Sequence, residues 1–87
     1  MKIKDGFMMK SIAGTDVVVP TGSNTVSFGS VITLNETGVF LWQKLQEEIT
    51  QEQLVSAMLE EYNIDEATAK NDVAEFIIKL QEVGLLV

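Results

Sequence analysis

The chain has 87 residues, 46% of them hydrophobic and 22% charged, the composition of one small globular domain with no room for a second. It contains no Cys, no His and no Arg, which excludes disulfides, thiol chemistry, thiolate or imidazole metal sites and every His-based relay. The net charge of −7 is uneven: residues 1–34 carry three Lys against two Asp, whereas residues 35–87 carry three Lys against eleven acids.

The opening Met1-Lys2-Ile3-Lys4-Asp5-Gly6 leads into no apolar signal core, and no run approaches the roughly 20 apolar residues of a membrane span, so a cytoplasmic protein is expected. Phe7 to Ala13 is predicted as a first strand, Gly14-Thr15 as a tight turn, and Asp16 to Val19 as a second strand closed by Pro20. Thr21-Gly22-Ser23-Asn24 reads as a loop. Val26-Ser27-Phe28 is either an extra strand or a packed loop, and Val31 to Leu34 is a short third strand.

From Asn35 onward the apolar period lengthens to that of helices. Asn35 is a suitable N-cap for a first helix over about 36–47, whose face Gly38, Leu41, Trp42, Leu45 and Ile49 is core. Phe40 points away from that face, so this helix is either covered on two sides or displays an aromatic ring. Thr50 with Gln53 forms the pattern of a capping box for a second helix over 51–61, buried through Leu54, Val55, Met58, Leu59 and Tyr62. Asp65 caps a third helix over 66–83, stopped by Gly84, with core positions Ala69, Val73, Phe76, Leu80 and Val83. Three short strands followed by three helices predict one α+β domain over 1–87, an antiparallel sheet with a winged helix-turn-helix-like end.

The acidic residues do not make an active site. Glu47-Glu48 and Glu60-Glu61 are sequence neighbours, and adjacent helical side chains diverge by about 100°. Asp72 and Glu75 share helical spacing, but no Asp-rich loop supplies the six or more oxygens that calcium takes. No phosphate loop or nucleophile elbow is present, so neither catalysis, nor a metal, nor a cofactor is expected. A winged-helix DNA-binding regulator is the alternative reading. Against it, the third helix carries Lys70 and Lys79 but also Glu66, Asp72, Glu75 and Glu82, with no Arg to grip guanine.

The third helix is asymmetric about its core line. One shoulder, Thr68, Asp72, Glu75, Lys79 and Glu82, reads as an ordinary solvated face. The other, Ala67, Lys70, Ala74, Ile77 and Gln81, is small or apolar, and Ile78 lies nearly opposite the core. That second shoulder either packs on the sheet or borders a groove that receives a partner. A short, β-branched third strand at a sheet edge offers backbone groups to an added strand, provided the strand order leaves it at the edge.

The ordered set Leu34-Asn35-Glu36-Thr37-Gly38, Leu41-Trp42, Leu45, Thr50, Glu52-Gln53-Leu54-Val55, Glu61-Tyr62-Asn63-Ile64, Asp72-Val73, Phe76, Leu80 and Gly84-Leu85 resembles the PqqD-like family, small proteins related to coenzyme PQQ synthesis protein D. The resemblance runs from about Phe7 to Leu86. It implies a winged-helix-like domain that recognises the leader segment of ribosomally made precursor peptides. In that family the leader adds to the edge of the third strand, lies against the third helix, and is delivered to a modifying enzyme, commonly a radical SAM protein. Carried onto this chain, the resemblance implies peptide contacts at Val31, Ile32 and Thr33 and at Val73, Ala74, Ile77, Ile78 and Gln81, with Lys70 meeting an acidic leader side chain. It also implies a standalone, non-catalytic adaptor acting in trans, while the acidic charge and the lack of a long apolar run mean that no nucleic-acid or membrane partner is expected.

Overall fold

The structure, a computed structural model, describes residues 1–21 and 32–87. Val31, the segment 26–28 and the loop residues 22–24 therefore lie outside the described residues. The chain forms β1 (Phe7–Ile12), β2 (Thr15–Pro20), β3 (Ile32–Leu34), α1 (Glu36–Lys44), α2 (Gln51–Glu61) and α3 (Glu66–Glu82). The three strands make one antiparallel sheet in the order β1-β2-β3, so among the described residues β3 is an edge strand.

The β1–β2 hairpin turns at Ala13-Gly14, one residue earlier than the sequence suggests, with Ile12 opposite Thr15. Both turn residues have positive φ, 51° at Ala13 and 81° at Gly14, the backbone of a type I′ turn whose twist matches the flanking strands. The pairing of Val18 with Ile32 and of Asp16 with Leu34 sets β3 in register. Strand alternation then buries Ile32 and Leu34 and leaves Thr33 outward.

All three helices start on the expected caps. Asn35 accepts from the Gly38 N–H at 2.8 Å, Thr50 and Gln53 exchange both bonds of a capping box, and Asp65 accepts from the Thr68 N–H at 2.8 Å. The first helix stops at Lys44 rather than near 47, because the Leu45 carbonyl is taken by the Ile3 N–H at 2.9 Å. The third ends in a Schellman motif: Gly84, at φ 74°, donates to Gln81 and Leu85 donates to Leu80, while the Leu80 and Leu85 side chains are both buried.

Sequence reasoning did not anticipate the role of the first four residues. Ile3 bridges Leu86 in antiparallel fashion, flanked by bonds from Lys4 N–H to the Leu85 carbonyl at 2.7 Å and from Val87 N–H to the Lys2 carbonyl at 2.9 Å. The Met1 ammonium contacts the Glu48 carboxylate, which that hydrogen bond holds below its usual pKa. Ile3 thereby joins a core of Val18, Ile32, Leu34, Leu41, Leu45, Leu54, Met58, Val73, Leu80 and Leu85. Burying one such side chain is worth about 1.5–3 kcal/mol. Phe40 is covered after all: its ring is half-buried, meets Tyr62 edge-on at 5.5 Å, and carries the Lys44 ammonium 5.4 Å from its centroid. Burial, then Glu36 and Glu61, push the Tyr62 hydroxyl above its ordinary pKa.

Candidate functional site

A cavity of about 410 Å³ opens where the edge strand β3 and the start of α1 face α3. Leu34, Gly38, Leu41 and Phe76 give it an apolar lining of buried side chains and backbone. Thr33, Asn35 and Thr37 border it from the strand and cap side, and Asp72, Glu75 and Lys79 border it from α3. Positions 72, 75, 76 and 79 fall on one stripe of a helix, which is why these four reach the same space.

Local chain chemistry builds the wall opposite α3. The Asn35 side chain, fixed by the Gly38 N–H at 2.8 Å and the Thr37 hydroxyl at 3.1 Å, ends β3 and starts α1 within one residue. Glycine at 38 permits that tight corner, since a Cβ there would sit 3.1 Å from Asn35 Oδ1 and 3.4 Å from Leu34 Cδ2. Because β3 pairs with β2 along one side only, its other side presents backbone donors and acceptors without a partner strand among the described residues.

The electrostatics of the wall are mixed. Asp72 and Glu75 stand three residues apart with like charge, and Lys79 follows one turn beyond. None of the three enters an ion pair among the described residues, where the pairs are Lys70 with Glu66 at 3.2 Å and the Met1 ammonium with Glu48. No group of three or more Asp or Glu side chains among the described residues is arranged to hold a metal ion. No helix there is long and apolar enough to cross a membrane.

The residues named from sequence are dispersed by the structure. Thr33 borders the cavity and Ile32 lies beneath the same strand, buried in the core. Val73 is fully buried and Ile77 is 6% exposed, so both are core residues. Lys70 and Ala74 line a separate cavity of about 700 Å³ between α2 and α3, with Val55 and Leu59. Ile78 is 53% exposed, Gln81 is exposed, and neither lines the space beside β3.

The small, apolar shoulder of α3 thus serves α2 and the core, and the shoulder expected to be plain solvated surface supplies Asp72, Glu75 and Lys79 to the cavity. The reason is the orientation of α3 about its axis: Ala69, Val73, Phe76, Ile77 and Leu80 are its buried residues, which leaves Asp72, Glu75 and Lys79 beside β3 and Lys70 and Ala74 beside α2. Sequence carried one usable signal, the flanking of Phe76 by charges of both signs at spacings of four, one and three residues.

The comparisons with known proteins agree with this architecture. The family model for coenzyme PQQ synthesis protein D matches residues 16–86. Among solved structures, TbiB1 in complex with the TbiA(beta) leader peptide is 28% identical, with a TM-score of 0.75 over 99% of this chain and 94% of that one. Lasso peptide synthetase B1, complexed with its leader peptide, superposes with a TM-score of 0.74 at 19% identity, over 97% of this chain and 93% of that one, and so shares the fold. Among curated proteins none matches the chain. An α+β domain of this strand and helix order, matched by the family model from β2 to the final bridge, belongs to the PqqD family.

Proposed function

We propose that this chain is a non-catalytic adaptor that binds the leader segment of a ribosomally made precursor peptide and presents it to a modifying enzyme in the cytoplasm. The observation that carries the reading is the open edge of β3 beside the cavity closed by α1 and α3. An extended segment laid on that edge gains backbone hydrogen bonds, each worth about 0.5–1.5 kcal/mol net, and sends alternate side chains into the cavity. The leader peptides bound by TbiB1 and by lasso peptide synthetase B1 support the same use of this domain. A radical SAM protein is the enzyme class we propose as the recipient. Tethering a substrate there raises its effective concentration without a new catalytic group.

The test is an amide chemical-shift titration with the TbiA(beta) leader peptide and with the leader of any precursor peptide found encoded near this chain's gene. Binding moves the amides of Ile32, Thr33 and Leu34 together with those of Asp72 to Lys79. A saturated complex that leaves the β3 amides in place refutes strand addition.

A further inference from the structure

The cavity has a charge order as well as a shape. Its α3 wall presents two carboxylates, at Asp72 and Glu75, then the ammonium of Lys79. A rise of about 1.5 Å per residue puts the two acids roughly 4.5 Å apart along the helix and Lys79 roughly 6 Å further. Elsewhere on α3, Lys70 is paired with Glu66 at 3.2 Å, whereas Lys79 stands four residues after Glu75 and makes no ion pair with it. Asp72 and Glu75 therefore have no ion-pair partner among the described residues, in a cavity that Leu34, Leu41 and Phe76 also line.

On the reading of β3 as the docking edge, we infer that the groove selects leader segments bearing a lysine or arginine that faces Asp72 and Glu75, beside an apolar side chain that covers Leu34, Leu41 and Phe76. An added strand places side chains of one face about 6.6–6.8 Å apart, so a cationic residue and its apolar neighbour two positions away both reach this wall. The surplus of eight negative charges over residues 35–87 adds a longer-ranged pull on cationic segments that weakens with salt. Asp72 and Glu75 then act as specificity determinants, and the backbone of β3 supplies sequence-independent affinity.

A library of short random peptides, displayed at low salt against the full chain, tests this without knowledge of the natural leader. Peptides recovered from it are mapped by amide shifts and titrated calorimetrically. The expected result is that peptides shifting Ile32 to Leu34 carry Lys or Arg at one fixed position. Asp72→Asn and Glu75→Gln should each weaken them roughly two- to fivefold, the range of exposed ion pairs. Reselection against Asp72→Lys/Glu75→Lys, with an unchanged melting curve, should turn the preference to Asp or Glu. Peptides that shift the β3 amides but show no charge preference overturn the inference and leave the edge site standing. Recovered peptides that leave those amides unmoved overturn both.

Discussion

Replacing Ile77 by alanine truncates a side chain that is 6% exposed and packed in the core, one residue before an isoleucine that is 53% exposed. Buried aliphatic-to-alanine changes cost about 2–5 kcal/mol, lost transfer energy plus the cavity left behind. A domain of 87 residues has a total stability of roughly 4–13 kcal/mol, so Ile77→Ala removes a large share of it. At about 4–8 °C per kcal/mol for a domain of this size, the melting temperature falls by at least ~8 °C. Ile78→Ala should stay within about 0.5 kcal/mol of the parent, as surface changes do, with alanine's better helix propensity offsetting the lost contact. Thermal and urea denaturation followed by far-UV circular dichroism separates the two, with unchanged urea slopes showing that both variants unfold from the same folded state. Equal losses for the two variants, or a neutral Ile77→Ala, would refute the reasoning, because α3 would then be rotated from the orientation that turns Asp72, Glu75 and Lys79 toward β3. In the same series Ile78→Glu should leave the affinity for the proposed leader segment within about twofold of the parent, as a change outside the residues that line the cavity beside β3.

Asn35→Ala removes the acceptor of the Gly38 N–H and costs about 1 kcal/mol, a fall of about 4–8 °C, whereas Asn35→Asp retains the cap and most of the stability. Melting curves of the two variants check this, and equal falls would contradict a capping role. Ala13→Asn relieves a positive φ that alanine tolerates poorly and completes the Asn-Gly pair favoured by type I′ turns, so the melting temperature should rise by a few degrees, about 0.5–1 kcal/mol. Hydrogen bonding from the Thr68 side chain, and then from its N–H, holds the Asp65 carboxyl below the usual range. A depressed folded pKa means that its stabilisation is fully present above the unfolded value of about 3.9 and is lost as pH falls below it. Melting temperatures measured across that range should fall with pH less steeply in Asp65→Asn than in the parent.

Much of the fold is legible because its signals are local. Asn35, Thr50 with Gln53, Asp65 and Gly84 mark helix ends through bonds made within five residues of chain, and each does so in the structure. The turn is less so: Gly14-Thr15 and Ala13-Gly14 differ by one residue, and only the register of Ile12 with Thr15 decides between them. The early end of α1 is not local at all, since it depends on Ile3 reaching the mid-chain Leu45 from before the first strand of the fold. The site is half legible for the same reason. Alternation places Thr33 outward on β3, but a helical wheel tells the two shoulders of α3 apart only by polarity, which marks the apolar shoulder rather than the charged one for a partner. Which shoulder meets β3 is settled by how α3 rests on the rest of the core, a tertiary fact that no spacing within the helix specifies.

The bonds joining residues 2–4 to residues 85–87 bear on the order of folding events. Closing a loop of some 80 residues costs about 4 kcal/mol of chain entropy, against far less for the two-residue β1–β2 turn. On that entropy alone the hairpin and the α2–α3 pair are expected to assemble before residues 2–4 pair with residues 85–87. Interactions formed that late scarcely alter the rate of folding. They are expected to slow unfolding instead, so weakening the bonds of residues 2–4 should shorten the lifetime of the folded domain more than it changes its rate of formation.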